Sequence, residues 1–570
     1  MLVAWLVATG TFASAGAGLA AIAWARAQYP LLAPLEAAAL ALRWSADLLP
    51  LACGLGLAIA AGVRIAAPRG RSARLAALVA CAGVGLTIAT RGREALVASD
   101  AVAPSLPASQ SMRAAPDAPN LVLVTIDTLR ADHLDAYGHP RPTAPSFAAL
   151  AREGVLFETA ISAAPATQLA TASLLTGLWP WSHADPSRPR RRGTPYLRSG
   201  FATLAERLAA AGYATGGFVA NQAVRAEEGF AQGFIAWDES AARSGRVEDV
   251  LAPALAWLAG ARAPFFLWVH VMDPHHPYDA PSLAPWEDAA DAQAAALRRG
   301  WAALPFGEQT ARMQAVDDEH DLDAATRALL VDRYDAEIRH ADAGLARLLA
   351  ALEQRGATRA NTWIAVTADH GEEFLDHGRL LHGHTLFDEL LHVPLVLRGP
   401  ALPAGLRVAE QVATIDVAAT LLAAAGLPSA DLDARSLAPF WENPGREPAR
   451  AALASREGKY VAWRTPEAKL VVAQVPAALE RAPGGGLAAL RWMARTAFDR
   501  GHRPKVGYWP VAEEPRELGI GAGRHADAQR AHAALLALRR SAPPRVVAED
   551  APIEPDARAV EQLRALGYTE

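Results

Sequence analysis

The first part of the chain is largely apolar, and the remainder alternates between short apolar runs and polar segments. Three uncharged runs stand out, Leu2 to Trp24, Leu48 to Val63 and Leu75 to Thr90. Such runs are typical of helices that cross a bilayer, with flanking arginines at its interface. We therefore expect residues 1–95 to be an N-terminal transmembrane helical region, an anchor of about three helices. A cleaved signal peptide is the alternative for the first run.

The arginines of this region indicate its orientation. Four of them crowd the connection between the second and third runs, from Arg64 to Arg74. Cytoplasmic loops carry an excess of basic residues, so this connection is predicted to be cytoplasmic. The rest of the chain then lies outside the cytoplasmic (inner) membrane, although two arginines after the third run oppose this orientation. Residues 96–118, rich in Pro, Ala and Ser, are predicted to be a linker.

Continuous apolar runs recur beyond residue 119, as expected of strands buried on both faces. The predicted strands are Asn120–Ile126, Ala214–Ala220, Phe265–Val271, Thr362–Ala368 and Val393–Arg398. Between the third and fourth of these, the segment Asp342–Gly356 has leucines at helical spacing and ends at a glycine. Strands that alternate with helices predict an α/β fold with a mostly parallel sheet and helices on both faces.

Polar residues gather where the predicted strands end. In open α/β sheets ligands bind beyond the carboxyl ends of the strands, so clusters there indicate a functional site. The clustered residues are Asp127 after the first strand, His270, Asp273, His275 and His276 at the end of the third, Asp369 and His370 after the fourth, and His377, His382 and His384 shortly afterwards.

Composition excludes several kinds of chemistry. The formal net charge of −5 gives no reason to expect nucleic acid as a partner. The two cysteines, Cys53 and Cys81, both lie in the predicted anchor. A disulfide framework, a thiolate zinc site and a cysteine nucleophile are therefore excluded for the rest of this chain. Arginine carries nearly all of the positive charge, which is typical of a GC-rich bacterial genome.

Several motifs then occur in an order that resembles the sulfatase branch of the alkaline phosphatase superfamily. They include IDTLRADHLDAYGHPRPTAPSF, PATQLATASLLTG, FFLWVHVMDPHHPYDAP and VTADHGEEFLDHG. The resemblance implies an alkaline-phosphatase-like mixed, mostly parallel sheet between helices for residues 119–435. It implies a small antiparallel subdomain for residues 436–570, where KYVAWRTPEAKLVV shows two alternating runs around a Thr-Pro turn.

The resemblance also implies functional residues. One divalent metal ion (Zn, Mn or Ca) is expected to be held by Asp127, Asp369, His370 and Thr167. His275 is expected to contact the transferred group. Either His382 or His384 matches a later catalytic position that contacts the substrate, and the spacing leaves this choice open.

The expected nucleophile departs from the sulfatase pattern. Sulfatases carry Cys or Ser in C/S-x-P-S/A-R, and this residue is oxidised to formylglycine. Thr167 takes that position here, with Leu169 for the proline and Thr171 for the arginine. Asn221 stands at the substrate-binding position of an expected lysine, and Thr128 at that of a second aspartate. No formylglycine is therefore expected. Thr167 is expected to be the nucleophile, as threonine is in other branches of the superfamily, and a plain helix N-cap is the alternative.

These expectations lead to one predicted function and two alternatives. The predicted function is a membrane-anchored, metal-dependent hydrolase of sulfate or phosphate esters, acting outside the cytoplasmic membrane. The first alternative is a transferase that moves a phospho-head group onto a cell-envelope lipid or glycan. The second is an inactive binding protein that keeps the sulfatase fold.

Overall fold

The computed structural model describes residues 117–184, 196–281, 322–443, 449–456, 460–473 and 507–511, with isolated positions outside these ranges. The three predicted membrane spans fall outside the described residues. Within the described part of the chain, no helix combines the length and the apolar character that crossing a membrane requires. The elements below belong to one compact unit, formed by Pro104–Gln474, Ala497–Gly521 and Ala537–Glu570.

The described strands and helices alternate along most of this unit. The strands are β1 Asn120–Ile126, β2 Val155–Ile161, β3 Ala214–Val219, β4 Ala236–Asp238, β5 Phe265–Val271, β6 Thr362–Thr367, β7 Glu373–Phe374, β8 Leu380–Leu381, β9 His392–Arg398, β10 Leu406–Val408, β11 Val412–Ala413, β12 Ala452–Arg456, β13 Tyr460–Arg464, β14 Ala468–Ala473 and β15 Gly507–Pro510. The helices are α1 Pro145–Glu153, α2 Thr167–Thr176, α3 Pro180–His183, α4 Leu204–Ala210, α5 Val247–Gly260, α6 Ala324–Gln354, α7 Asp388–Leu391, α8 Asp416–Ala424 and α9 Pro439–Glu442.

The large sheet has nine strands in the order β10-β2-β9-β6-β1-β5-β3-β4, and β11 also pairs with β2. Strand β9 runs antiparallel to both β2 and β6, and the other pairs are parallel. The sheet is therefore mixed and mostly parallel, as expected. The five predicted strands are all present, each within one residue of its predicted ends.

Central strands are apolar throughout because both faces of the sheet are covered. In β1, the side chains of Val122 and Val124 pack into a core shared with helices α1, α5 and α6. Those of Leu121 and Leu123 pack into a second core on the other face, shared with α2, α4 and α8. Successive side chains of a strand point to opposite faces, so a strand between two helical layers has no polar side.

The long helix α6 differs from its prediction. It begins at Ala324, well before the predicted start at Asp342, and ends at Gln354. The Asp323 carboxylate caps it by accepting from the backbone N–H of Thr326 at 2.9 Å. The N-terminal half was missed because it carries buried charged residues, which interrupt the apolar period on which the prediction rested.

A separate antiparallel sheet, in the order β12-β13-β14-β15, follows the main one along the chain. Strands β13 and β14 pair through the predicted Thr-Pro turn. Asp388 of α7 binds two cations of this sheet, Arg464 at 2.8 Å and Lys469 at 2.8 Å. Both cationic side chains are buried, so this carboxylate stabilises the small sheet against the segment that contains α7.

Candidate active site

Four neighbouring parallel strands bring polar residues to one edge of the sheet. Asp127 follows β1, His270 lies in β5, Asp369 and His370 follow β6, and Asn221 follows β3. The strands lie side by side in the order β6-β1-β5-β3, so their carboxyl ends meet. All five side chains are buried, and the structure therefore collects them at one protected site.

Thr167 enters this site from the N-terminus of α2. It is the first helical residue, whereas Ala166 is the N-cap and makes no side-chain capping bond. The Thr167 hydroxyl lies 3.2 Å from His370 Nε2 and 3.5 Å from Asp127 Oδ2. The alternative in which this threonine is a plain N-cap is therefore wrong. Helix α2 ends at Gly177, whose φ of 65° suits glycine.

Asp127, Asp369 and His370 offer ligand atoms within 4.8 Å of one another. His370 Nε2 is 3.6 Å from Asp127 Oδ1 and 3.6 Å from Asp369 Oδ2. His370 Nδ1 donates to the carbonyl oxygen of Gly371 at 2.9 Å, so Nε2 presents a lone pair. Neither Asp127 Oδ1 nor Asp369 Oδ2 has a hydrogen-bond partner among the described residues. Two orphaned carboxylate oxygens beside an imidazole nitrogen fit a divalent cation.

These groups shift one another's pKa values in the metal-free protein. Burial raises the pKa of Asp369 to about 6, and repulsion by the Asp127 carboxylate adds to this effect. Burial also opposes ionisation of Asp127, but the adjacent His270 and the other nearby histidines hold its pKa well below the usual range. Burial disfavours the charged form of His370, yet the two carboxylates raise its pKa. Perturbations of this kind are typical of functional sites.

Two neighbours fix the orientation of the Asp127 carboxylate. The Asn221 amide Nδ2 donates to Asp127 Oδ2, and its Oδ1 accepts from the backbone N–H of Ala223 at 2.7 Å. His270 Nε2 lies 3.4 Å from the same Asp127 oxygen, and His270 Nδ1 lies 2.7 Å from the hydroxyl of Thr125. The sequence places His270 in a polar cluster at a strand end. Its contact with Asp127 depends on the register of β1 and β5, which the sequence does not show.

Backbone strain occurs beside the first aspartate. Thr128 has a φ of 56°, in the left-handed region that a β-branched residue rarely adopts. This conformation directs its N–H to Asp369 Oδ1 at 3.3 Å, and its carbonyl accepts from the Tyr334 hydroxyl at 2.7 Å. The strained residue therefore links the two carboxylate loops of the candidate metal centre, as strained residues at functional sites often do.

Histidines line the site next to these ligands. The ring of His382 lies 4.5 Å from that of His370 and 4.9 Å from that of His275, measured between centroids. Burial lowers the pKa of His275 to about 4 and that of His382 to about 3. His384 is less buried, and its backbone carbonyl accepts from Arg456 at 3.0 Å. Of the two residues left open by the spacing, His382 is the one that packs beside His275 and His370.

Glu372 is a site residue that sequence reasoning missed. Its carboxylate is completely buried, with Oε1 at 2.9 Å from His382 Nδ1 and Oε2 at 3.0 Å from the Tyr278 hydroxyl. Burial raises its pKa to about 7. The segment ADHGEEF indicates this region, but two adjacent glutamates at the start of a short strand look like surface charges until their partners are known.

A second pair of buried carboxyl groups includes a residue of the loop that carries His275. Asp273 of this loop and Glu337 of α6 are both buried, and each shifts the pKa of the other. Burial raises the pKa of Asp273 to about 6, and burial together with the charge of Asp273 raises the pKa of Glu337 well above its usual range. Because two adjacent buried carboxylates are costly, this pair retains a proton into the neutral range and ties the loop to α6.

Two other groups of potential ligands are formed by His133, His139 and Asp335, and by Glu373, His377 and Glu389. In the first, the Asp335 carboxylate binds Arg141 at 2.7 Å and His133 at 2.6 Å. In the second, His377 pairs directly with Glu389. Asp335 and Glu389 already have protein partners, so the group around Asp127, with its two orphaned oxygens, remains the best candidate metal centre among the described residues.

The fold and the site define an α/β protein with a candidate metal centre at the carboxyl edge of its sheet, beside a buried threonine hydroxyl. The family model described as "Sulfatase" matches residues 119–427, more than half of the chain. The chain therefore belongs to the sulfatase family.

Similar proteins differ in what their names say they cleave. Arylsulfatase K of Bos taurus is 24% identical over 379 residues, which are 58% of this chain and 68% of that protein. The phosphonate monoester hydrolase of Agrobacterium radiobacter aligns with a TM-score of 0.53 at 24% identity, covering 75% of this chain and 96% of that one. A 2-O GAG sulfatase aligns with a TM-score of 0.55 at 19% identity, covering 78% and 96%. These structural likenesses show the fold.

Proposed function

We propose that this protein is a metal-dependent hydrolase that cleaves sulfate or phosphate esters with Thr167 as its nucleophile, independently of formylglycine. The observation that carries the proposal is the position of the Thr167 hydroxyl, 3.2 Å from His370 Nε2 and beside Asp127, rather than in a helix cap. Names of relatives support the reaction class, because arylsulfatases and phosphonate monoester hydrolases are named for cleaving such esters.

The reaction is proposed to proceed in two steps. The Thr167 oxygen attacks the sulfur or phosphorus and forms a covalent ester, while the bond to the leaving oxygen breaks. Water then releases the group from Thr167. Asp127, Asp369 and His370 would hold a divalent cation, Zn, Mn or Ca, which lowers the pKa of a nearby hydroxyl and offsets charge on the ester. Backbone N–H groups at the start of α2 favour the anionic substrate.

The histidines next to this centre supply proton transfer and binding. His275 Nδ1 donates to the carbonyl of His276 at 2.9 Å, so its Nε2 is an acceptor in the neutral ring. His275 and His382 are therefore proposed to contact the transferred group and to exchange protons with the leaving oxygen. The His382 ring lies 4.5 Å from that of His370 and 4.9 Å from that of His275, next to the candidate metal centre.

The test compares the Thr167→Val variant with the wild type, each as the full chain loaded with zinc. Substrates are the para-nitrophenyl esters of sulfate, of phosphate and of a phosphate diester. We expect kcat/KM of the variant to fall by at least about 1000-fold, since a nucleophile is lost without a change of shape. Thr176→Val is the matched control, because its buried hydroxyl in the same helix bonds only the carbonyl of Ala172. Acid-quenched wild-type protein should carry the transferred group on Thr167.

Three outcomes would overturn the proposal in different ways. An unchanged rate in Thr167→Val would show that Thr167 is not the nucleophile. Transfer to added alcohol without release to water would identify a transferase of head groups on lipid or glycan. A wild-type protein that neither binds zinc nor cleaves any of the esters would be a binding protein of the sulfatase fold.

Membrane anchoring on the extracytoplasmic side of the cytoplasmic membrane belongs to the same proposal. Its support is the three apolar runs before residue 95 and the arginines between the second and third runs. Fractionation of cells that produce the full chain is the test. Recovery in the membrane fraction after alkaline washing, with the part after residue 119 open to added protease in spheroplasts, is expected.

A further inference from the structure

Each oxygen of the Glu372 carboxyl group has a hydrogen-bond partner from a different segment of the chain. Its Oε2 accepts from the Tyr278 hydroxyl at 3.0 Å, and its Oε1 lies 2.9 Å from His382 Nδ1. The carboxylate is completely buried. The Arg130 guanidinium donates to the Glu372 backbone carbonyl at 3.0 Å rather than to the carboxylate. An ionisable group buried without a pairing Arg or Lys contact is costly, so a purely structural role is better served by a neutral amide.

The histidine bonded to Glu372 is the one that packs into the candidate active site. Its ring lies 4.5 Å from that of His370 and 4.9 Å from that of His275. The two nitrogens of an imidazole are on different edges of the ring, so a bond at His382 Nδ1 directs Nε2 away from Glu372. A carboxylate behind the imidazole also fixes which nitrogen carries the proton, as the aspartate of a catalytic triad does.

We propose that Glu372 is a positioning residue that fixes the tautomer and the orientation of His382, so that His382 Nε2 exchanges protons with the leaving oxygen. The inference rests on the proposed function. In the first step the Thr167 hydroxyl gives its proton to Nε2 while its oxygen bonds to sulfur or phosphorus, the bond to the leaving oxygen breaks, and Nε2 passes the proton to that oxygen. In the second step water gives a proton to Nε2, the water oxygen displaces the Thr167 oxygen, and Nε2 returns the proton to Thr167. The sum is one ester and one water converted to one alcohol and one acid.

Glu373 offers a matched control. It is the adjacent residue of β7 and equally buried, but its Oε1 accepts from the Thr385 hydroxyl at 3.0 Å. Glu372→Gln and Glu373→Gln therefore make the same change of charge and shape one residue apart. Only the first removes the negative charge behind His382, since a glutamine there accepts from Nδ1 with its oxygen and donates to Tyr278 with its amide, but is neutral.

The experiment measures kcat/KM of the zinc-loaded full chain for a series of aryl esters of the class that the wild type cleaves. A phenyl leaving group needs a proton more than a dinitrophenyl leaving group does. We expect Glu372→Gln to lower kcat/KM by about 100-fold for the phenyl ester and by less than about tenfold for the dinitrophenyl ester. Glu373→Gln should follow the wild type for both esters, and zinc content should be equal in all three proteins.

A double substitution shows whether Glu372 acts through the histidine. In a His382→Asn background, Glu372→Gln should have no further effect on the phenyl ester. An equal loss for both leaving groups, or a loss that persists in this background, would overturn the inference while leaving the proposed hydrolase intact. A wild type without activity toward any ester would overturn the proposed function and this inference with it.

Discussion

Replacing Asp369 by Asn should separate the cost of two adjacent buried carboxylates from the benefit of binding a cation. Asp369 is 2% exposed, and burial beside Asp127 raises its pKa from 3.8 to about 6 in the metal-free protein. A group whose pKa is raised on folding contributes stability that is present below its unfolded pKa and is lost as the pH rises through the folded value. The shift corresponds to at most about 3 kcal/mol above pH 6.

Asparagine removes this loss and leaves the local bonds in place. Asp369 Oδ1 accepts from the backbone N–H of Thr128 at 3.3 Å and from that of His370 at 2.8 Å, and an amide oxygen accepts both equally well. The metal-free variant should therefore be more stable than the metal-free wild type above neutral pH. Denaturant unfolding of the full chain between pH 4 and pH 8, after treatment with a chelator, measures this difference.

Adding zinc should make the wild type more stable than the variant. A ligand at 1,000 times its dissociation constant stabilises the folded state by about 4.1 kcal/mol, so wild type gains more than the loss of about 3 kcal/mol that the raised pKa imposes. The variant lacks one anionic ligand and should gain much less. Asp342→Asn is the control, because Asp342 is also buried with a raised pKa but accepts from the backbone at the start of α1. A wild type that zinc does not stabilise, or a metal-free variant that is less stable at pH 8, would refute the reasoning.

Two further predictions concern stability. Asp388→Asn leaves the buried cations Arg464 and Lys469 without their carboxylate and should lower the free energy of unfolding by about 3–5 kcal/mol, whereas substituting the exposed Asp431 should change it little. If denaturant unfolding shows that Asp388→Asn lowers the free energy of unfolding by less than about 1 kcal/mol, which is the contribution of a surface ion pair, the prediction is contradicted. Asp273→Asn should flatten the fall in metal-free stability between pH 4 and pH 6, since the raised pKa of Asp273 makes its contribution present at low pH and lost through about 6. An unchanged pH profile would count against the buried carboxyl pair.

Continuous apolar runs made the central strands predictable, whereas β2 shows why other strands were missed. Its sequence VLFETAI includes two half-buried polar residues, Glu158 and Thr159, at a break in its register with β9. Such an irregularity interrupts both the apolar run and a strict alternation, so neither pattern applies. Strands β10 and β11 are too short for any period. The strand directions that make the sheet mixed depend on long-range pairing, for which the residue pattern alone carries no signal.

The candidate site likewise combines residues that could be predicted from the sequence with residues that could not. Asp127, Asp369 and His370 could be predicted because each follows an apolar run, and strand order then brings them together. Glu372 could not be predicted, since its importance lies in complete burial against Tyr278 and His382, which come from other segments of the chain. Sequence reasoning recognises a residue type at a strand end more readily than a carboxylate whose partners are assembled only by the tertiary fold.

Asn221 shows how a single neutral side chain changes the expected chemistry of the site. The resemblance to sulfatases assigned this position to substrate binding by a lysine, but the amide here donates to Asp127 and accepts from Ala223. A lysine ammonium against Asp127 would compete with a cation for the same carboxylate, whereas an amide orients the carboxylate without adding charge. Contact with the transferred group is then proposed to fall to His275 and His382, whose pKa values burial holds near 4 and 3. In this site most of the positive charge that meets an anionic ester would have to come from the bound cation.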